Sequence, residues 1–498
     1  MRELKFGVRW QGHRFEIPRV RKPWLRHLFA SCILHFAFAL LAAAQQPPTL
    51  ATKIETATAA LPHAVWAIDI EDDDGNVLYA ENAHLLMIPA STRKLFNAVS
   101  VVNCFGFDHQ FTTELWRDGI DVIIRGGGDP SLGGRWAFNR DAVFAPFVEA
   151  LRKRGVDTVG DVYADVSAFD RNTIPGSWKT GNLGSDYAAP VDALAYNENV
   201  VGVVVDHCAS PVVTTDPFFV PATANTICGQ GAPIIRTDAA NAVAVYGAIP
   251  DHVADLVAVT DPALYAAQAL REALRHAGIR VIGAVGVVSM PRTWRERIAV
   301  IESPPLWQLL SVVLKPSQNL YAEMLFKNLS GSYAASAAIE RRILTEIIGL
   351  DPAEFRFLDG SGLSPDDLVT AAATVKVLRW MNAPSRRGAW STLLAVPGDQ
   401  EGTLRRRFPE LALRVRGKTG SIAGVNALAA IVQGRDGCFR YVSLIVNHHT
   451  GEGAEALNAF EAIVREVASL ECGGKATALQ SERDPKTVAP NRIDHRLR

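Results

Sequence analysis

Three short groups of residues could do chemistry together: Ser91-x-x-Lys94, Ser317-x-Asn319 and Lys418-Thr419-Gly420-Ser421. A serine hydroxyl is a poor nucleophile until a neighbouring base takes its proton. Lys94 follows Ser91 by three residues, one turn on along the same face of a helix. The apolar run Leu95, Phe96, Ala98, Val99, Val101, Val102 predicts a buried helix that begins at Ser91. A lysine in such surroundings loses solvation, which favours the neutral amine and lets it act as a base. Each group alone has a plainer reading. Ser91 could cap a helix, Ser317-x-Asn319 could be a capping turn, and Lys-Thr-Gly could be a strand end. Ser91 opens the chain's only Ser-x-x-Lys and Ser317 its only Ser-x-Asn. Lys-Thr-Gly occurs twice, but Lys179-Thr180-Gly181 precedes Ser317 and lies in a polar loop, so it is set aside.

These groups need elements to hold them. Residues 64–70 and 77–80, joined by Asp73-Asp74-Gly75-Asn76, predict a hairpin leading to Ser91. A helix is expected over 306–314, stopping at Lys315-Pro316, and another runs through Ala322, Met324 and Leu325. Asp359-Gly360-Ser361-Gly362-Leu363-Ser364 reads as a tight loop before a helix at 365–381, so Ser361 and Ser364 are loop formers. The run 411–416 extends into Lys418. Strands at 426–432 and 439–446 follow, then a helix at 453–469. Gly417 and Gly420 would let a substrate backbone lie against the strand edge. Between 106 and 295 short Val/Ile strands alternate with turns, and helical patterns fall at 140–153 and 261–277. Asp129, in Gly-Gly-Gly-Asp-Pro, reads as a turn residue. His448-His449, at a strand end, is expected to be exposed. Glu323 is either a solvated helix position or a support for the site.

A chain of 498 residues implies two or three domains. Its net charge of -1 offers no electrostatic case for nucleic acid. No phosphate-binding loop, metal-spaced histidines or Cys-x-x-Cys occurs, so no cofactor and no metal is expected. Arg19, Arg21, Lys22 and Arg26 precede an apolar run from Leu28 to Ala44 that ends Ala42-Ala43-Ala44-Gln45, the pattern of a secretory signal over 1–44. Export implies an oxidising compartment. Five cysteines then remain, an odd number; Cys208–Cys228 is the expected disulfide and Cys104 an expected buried apolar residue. Residues 473–498 read as a disordered polar tail.

Ser-x-x-Lys, Ser-x-Asn and Lys-Thr-Gly in this order are the elements shared by penicillin-binding proteins and serine β-lactamases. From about residue 60 to 470 the chain resembles the D-alanyl-D-alanine carboxypeptidase/endopeptidase family, the low-molecular-mass class C penicillin-binding proteins. Supporting stretches include Gly128-Asp129-Pro130-Ser131-Leu132, Gly176-Ser177-Trp178 and Tyr187-Ala188-Ala189-Pro190. Further stretches are Ala322-Glu323, Asp359 to Ser364, and Gly402-Thr403-Leu404 with Arg407. Gln318, where the family usually has Asp, and Pro316 are departures. The resemblance implies an α/β architecture: a β-lactamase/transpeptidase-like domain, an antiparallel sheet flanked by helices, with inserted α/β and β-rich domains. The catalytic domain would span 45–105 and 296–472. An inserted domain would cover 106–197 and 256–295, and a smaller one 198–255.

The resemblance also implies roles. Ser91 attacks the carbonyl of a D-Ala-D-Ala peptide and Lys94 is the base, its pKa held down by nearby Lys418. Ser317 relays a proton to the leaving amine, and Asn319 bridges Lys94 and the substrate amide. Lys418 and Thr419 receive the terminal carboxylate. Backbone N–H groups of Ser91 and Ser421 form the oxyanion hole. Partners would be peptidoglycan peptides and, as covalent inhibitors, β-lactams, in the periplasm or at the membrane. Two alternatives share the frame. A serine β-lactamase would need a deacylating base, and no Glu-x-x-Leu-Asn lies between Ser91 and Lys418. A non-catalytic wall-binding protein would not need all five side chains.

Overall fold

The structure, a computed structural model, describes residues 48–451 and 453–472. The expected signal at 1–44 and tail at 473–498 lie outside the described residues. A five-stranded antiparallel sheet runs in the order Val415–Ile422, Val425–Gln433, Phe439–Asn447, Val65–Asp72, Val77–Glu81. It joins the early hairpin to three late strands, so Trp66 pairs with Val446 across most of the chain length. The central strands Val425–Gln433 and Phe439–Asn447 are buried along nearly their whole length, because helices cover both faces. One cover is Ala454–Ser469, which turns Ala456, Ala459, Phe460, Ile463, Val464 and Val467 inward at helical spacing. On the other face lies Ala371–Met381.

The nucleophile segment is a 3₁₀ turn, Ala90–Arg93, followed by an α-helix, Lys94–Phe105. The α-helix therefore starts at Lys94, not at the expected Ser91. Every residue from Lys94 to Val101 is buried, as expected of a helix enclosed on all sides. The helix emerges from the core at its C-terminal end, so Cys104 is exposed there, correcting its expected burial.

From here the chain leaves the sheet and returns near 303. The outgoing strand Thr112–Asp118 pairs antiparallel with the returning strand Glu296–Glu302, and Phe111 and Ser303 exchange hydrogen bonds at their base. A long excursion can be accommodated this way, because its two ends leave the frame side by side. The excursion holds a mixed five-stranded sheet ordered Val285–Val288, Val162–Asp165, Asp121–Gly126, Thr112–Asp118, Glu296–Glu302. Helices Ala145–Lys153 and Pro262–His276 pack against it. Two three-stranded sheets extend from it, one of Val200–Asp206, Val212–Asp216 and His252–Ala258, the other of Ala222–Cys228, Ile234–Thr237 and Val243–Ile249. Cys208 and Cys228 are disulfide-bonded, as is a pair not anticipated, Cys438 and Cys472. Separate hydrophobic clusters form the cores of the excursion and of the antiparallel-sheet unit.

The helix expected at 365–381 begins only at Ala371. Leu368–Val369 pairs with Phe355–Arg356 instead, and the Thr370 hydroxyl caps the helix by accepting from the Ala373 N–H. His449 is buried rather than exposed, while His448 is exposed. No helix among the described residues is long and apolar enough to cross a membrane.

Candidate active site

Lys94 is fully buried, and its Nζ has three partners: Ser91 Oγ at 2.9 Å, Asn319 Oδ1 at 2.6 Å and the Ser361 carbonyl at 2.8 Å. The last two can only accept. A neutral amine has two N–H bonds and a lone pair, so donating to both acceptors leaves the lone pair for the Ser91 hydroxyl. The pKa of Lys94 is lowered from 10.5 to about 7, first by burial and further by the Arg93 charge, against the pull of Asp359 and Glu323. Burial is thus the main depressor of this amine, as the apolar setting predicts, and the expected contribution of Lys418 is not among the causes. The repulsion acts the other way: Lys418 is held well below its ordinary value by burial and then by Lys94.

Ser317 and Asn319 come from the start of helix Asn319–Lys327. Ser317 adopts φ 69°, the left-handed region that a non-glycine residue rarely occupies without a demand from its surroundings. In that conformation its Oγ accepts from Lys418 Nζ at 2.7 Å. Gln318 is the N-cap: its Oε1 accepts from the Leu320 N–H at 2.6 Å, and its Nε2 donates to Glu198 Oε2 at 2.7 Å. The departure at 318 therefore preserves the cap and adds a tie to the excursion. Asn319 Nδ2 donates to the Tyr187 carbonyl at 2.7 Å, so the amide expected to bridge Lys94 and substrate bridges Lys94 and the excursion.

Lys418, Thr419, Gly420 and Ser421 lie on the sheet's edge strand. Side chains alternate along a strand, so Lys418 and Gly420 share one face and Thr419 and Ser421 the other. Lys418 is fully buried and also donates to the Thr419 carbonyl. Gly420 is required by close approach: a Cβ there would sit 2.7 Å from the Pro89 carbonyl oxygen and 2.9 Å from the Ser91 nitrogen. Ser91, Ser317, Asn319 and Ser421 open onto one cavity of about 360 Å³; Lys94 and Lys418, fully buried, lie behind Ser91 and Ser317, and neither they nor Thr419 and Gly420 line it.

The loop beneath Lys94 is held by carboxylates. Glu323, fully buried, accepts from the Gly360 N–H at 2.9 Å and the Ser361 N–H at 2.8 Å, which aims the Ser361 carbonyl at Lys94. Asp359 accepts from the N–H groups of Gly362 and Ser364 and from Trp178 Nε1 at 2.8 Å. Arg93 forms a buried two-pronged pair with Glu340 and stacks 4.1 Å over the Phe357 ring. Asp129 serves a turn, its carboxylate accepting from Ser131 N–H and Oγ–H. Sequence reasoning missed the Ser361 and Tyr187 carbonyls, because a backbone group leaves no signature in residue type. It also missed that Lys179, in the copy set aside, and Asn182 line the same cavity as Ser91.

A serine and a serine–asparagine turn that open onto one cavity, each serine hydrogen-bonded to a buried lysine, one on the helix and one on the sheet edge, define the fold and site class of the penicillin-recognising serine enzymes. A family model described as the D-Ala-D-Ala carboxypeptidase 3 (S13) family matches residues 50–469, and the chain belongs to this serine peptidase family. A D-alanyl-D-alanine carboxypeptidase from an Actinomadura species is 30% identical over 439 residues, 79% of this chain and 79% of that protein. The D-alanyl-D-alanine carboxypeptidase DacB of Haemophilus influenzae is 26% identical over 405 residues, 74% of this chain and 83% of that protein. In structure, penicillin binding protein 4 (dacB) from Haemophilus influenzae matches with a TM-score of 0.75 at 23% identity, covering 84% of this chain and 99% of that one, a likeness of fold.

Proposed function

We propose that this chain is an exported serine D-alanyl-D-alanine carboxypeptidase or endopeptidase that acts on peptidoglycan stem peptides through an acyl-enzyme at Ser91. The observation that carries the reading is the Lys94 amine, buried and shared among Ser91 Oγ and two acceptors that cannot donate. Lys94 takes the Ser91 proton as Oγ bonds to the carbonyl carbon of the penultimate D-alanine. The oxyanion faces the N–H groups of Ser91 and Ser421, each worth about 3 kcal/mol in such a role. The C–N bond then breaks. Ser317, hydrogen-bonded to Lys418, delivers its proton to the leaving amine as the Lys94 ammonium gives up the proton it took from Ser91, so that Ser317 is again a hydroxyl and Lys94 again neutral. Water next attacks the ester, Lys94 accepting its proton, and the shortened peptide leaves as a carboxylate while Ser91 is restored. A β-lactam acylates Ser91 in the same way but its leaving group stays attached, so the ester persists.

The apolar N-terminal run and two disulfides support export to the periplasm. The test is labelling with a fluorescent penicillin and mapping of the labelled peptide. Label is expected on Ser91 and none on Ser91→Ala; label elsewhere, or none on the unaltered chain, overturns the reading. Rapid turnover of a chromogenic cephalosporin would point to a β-lactamase instead. Assays of free D-alanine release and of cross-linked dimer cleavage divide carboxypeptidase from endopeptidase activity.

A further inference from the structure

We propose that Glu198, on the excursion, is a positioning residue for departure of the leaving amine: through Gln318 it holds the turn from which the Ser317 hydroxyl faces the cleft. This rests on the reading of Ser91 as the acylated residue and of Ser317 as proton donor to that amine. Ser317 and Asn319 line the cavity into which Ser91 opens, and Gln318 between them does not. Its side chain makes two bonds instead. Oε1 accepts from the Leu320 N–H at 2.6 Å, and Nε2 donates to Glu198 Oε2 at 2.7 Å. The other carboxylate oxygen, Glu198 Oε1, pairs with Arg135 Nε. Glu198 does not line that cavity either, so it acts through the turn and not on substrate.

The carboxylate is presented by a strained backbone. Asn197, Glu198 and Asn199 have φ of 49°, 57° and 57°, three successive non-glycine residues in the left-handed region. Asparagine enters that region with little strain, but glutamate does not. The run is imposed by its contacts. The Asn197 N–H donates to the Leu132 carbonyl at 2.7 Å, Asn199 Oδ1 accepts from the Tyr196 N–H at 3.1 Å, and Asn199 Nδ2 donates to the Pro190 carbonyl at 2.9 Å. Trp136, next to Arg135, donates from Nε1 to Tyr321 Oη at 2.8 Å, on the helix that carries the turn. Ser317 is itself left-handed at φ 69°. Two strained segments thus meet at the hydrogen bond between Glu198 and Gln318. Docking does not require this contact, because Val191 and Ala195 already pack with Leu320 and Met324. Strain kept at a contact beside reacting groups points to a role in holding them.

The test compares an amide and a thioester of one acyl donor, Nα,Nε-diacetyl-lysyl-D-alanyl-D-alanine and the analogue ending in D-alanyl-thioglycolate. The amine must gain a proton as its C–N bond breaks, whereas the thiolate departs with the C–S electron pair and needs none. Glu198→Ala should lower kcat/KM about tenfold for the amide and about twofold or less for the thioester, so their ratio falls about fivefold. Gln318→Glu sets two carboxylates against each other and should lower the same ratio. Combining Gln318→Glu with Glu198→Gln rebuilds every bond with donor and acceptor exchanged. The carboxylate at 318 accepts from the Leu320 N–H and from the amide at 198, whose oxygen accepts from Arg135. This double variant should bring the ratio back to within about twofold of the unaltered chain. A ratio unchanged in Glu198→Ala overturns the proposal. So does an equal loss on both substrates, which would make Glu198 a structural tie, and so does a double variant no better than Gln318→Glu alone. Fluorescent penicillin on the unaltered chain reads Ser91 separately. Absence of label there fails the acyl-enzyme reading, whereas label with an unchanged ratio fails only the role of Glu198.

Discussion

The antiparallel-sheet unit and the excursion bury charge in opposite styles. In the sheet unit Arg93, Lys94, Glu323, Lys327, Glu340, Asp359, Asp367 and Lys418 are each at most 1% exposed. In the excursion the buried charged side chains among the described residues are all carboxylates: Asp129, Asp165 and Asp192. Each of these does local work. Asp129 closes a turn, Asp165 accepts from the Ser167 N–H and Trp294 Nε1, and Asp192 binds Arg171 and the Ala193 N–H. A carboxylate can complete a turn by accepting backbone N–H groups, but an ammonium cannot. Burying a lysine is costly without such a return, and the sheet unit buries Lys94 and Lys418 where desolvation lowers the pKa of both. Perturbed groups collected in one cleft mark function; scattered, turn-bound ones mark architecture.

That contrast can be broken in order of expected effect. Lys94→Ala should slow penicillin acylation by roughly 10²–10⁴-fold, the range for loss of a general base; a smaller loss would remove Lys94 from that role. Arg93→Ala strands Glu340 in the core and should cost about 3–5 kcal/mol in denaturant unfolding, whereas Arg93→Met with Glu340→Leu should recover most of it. Gly420→Val drives a side chain into Pro89 and Ser91 and should lower acylation on the order of 10²-fold, as misplacement of a reacting group does. Glu323→Gln sets an amide N–H against a backbone N–H under Ser361 and should cost about 1–3 kcal/mol of stability. The excursion supplies the low end. Arg154→Ala loses an exposed pair with Glu296 and should change unfolding by less than about 1 kcal/mol.

pH sharpens the comparison. If Lys94 is the base of the proposed reaction, only its neutral form acts, so the acylation rate should rise with pH and level off above about 7, falling about tenfold per unit on the acid side. A flat profile from pH 5 to 8 would contradict this. For stability the sign is also set. The folded chain releases the Lys94 proton near 7 and the unfolded chain near 10.5, so the unfolded state binds more protons between those values. The Lys94 contribution to stability therefore rises with pH across that window and is constant below it. Lys94→Met should reduce the slope measured there.

Much of the frame was legible because local pattern carried it. The hairpin at 65–81, the helices Leu306–Leu314 and Ala454–Ser469, and the strand pair Val425–Gln433 and Phe439–Asn447 follow apolar periodicity and turn residues within a few positions. The misses are where a distant partner overrides local preference. Leu368–Val369 is drawn into pairing with Phe355–Arg356, His449 is buried by the fold around it, and Cys438 meets Cys472 across 34 positions.

Residue type alone determined which side chains could act: one serine with a lysine a turn away, one Ser-x-Asn, and a Lys-Thr-Gly on a strand-like run. Tertiary structure decided what surrounds them. It placed the Ser361 carbonyl on Lys94, the Tyr187 carbonyl on Asn319 and the Lys179 side chain in the cleft wall. Backbone carbonyls are the same in every residue, and desolvation depends on everything packed around a group. Neither can be written into a short motif, so both the pKa of Lys94 and the charge of the cleft wall arise only when distant segments close around one cavity.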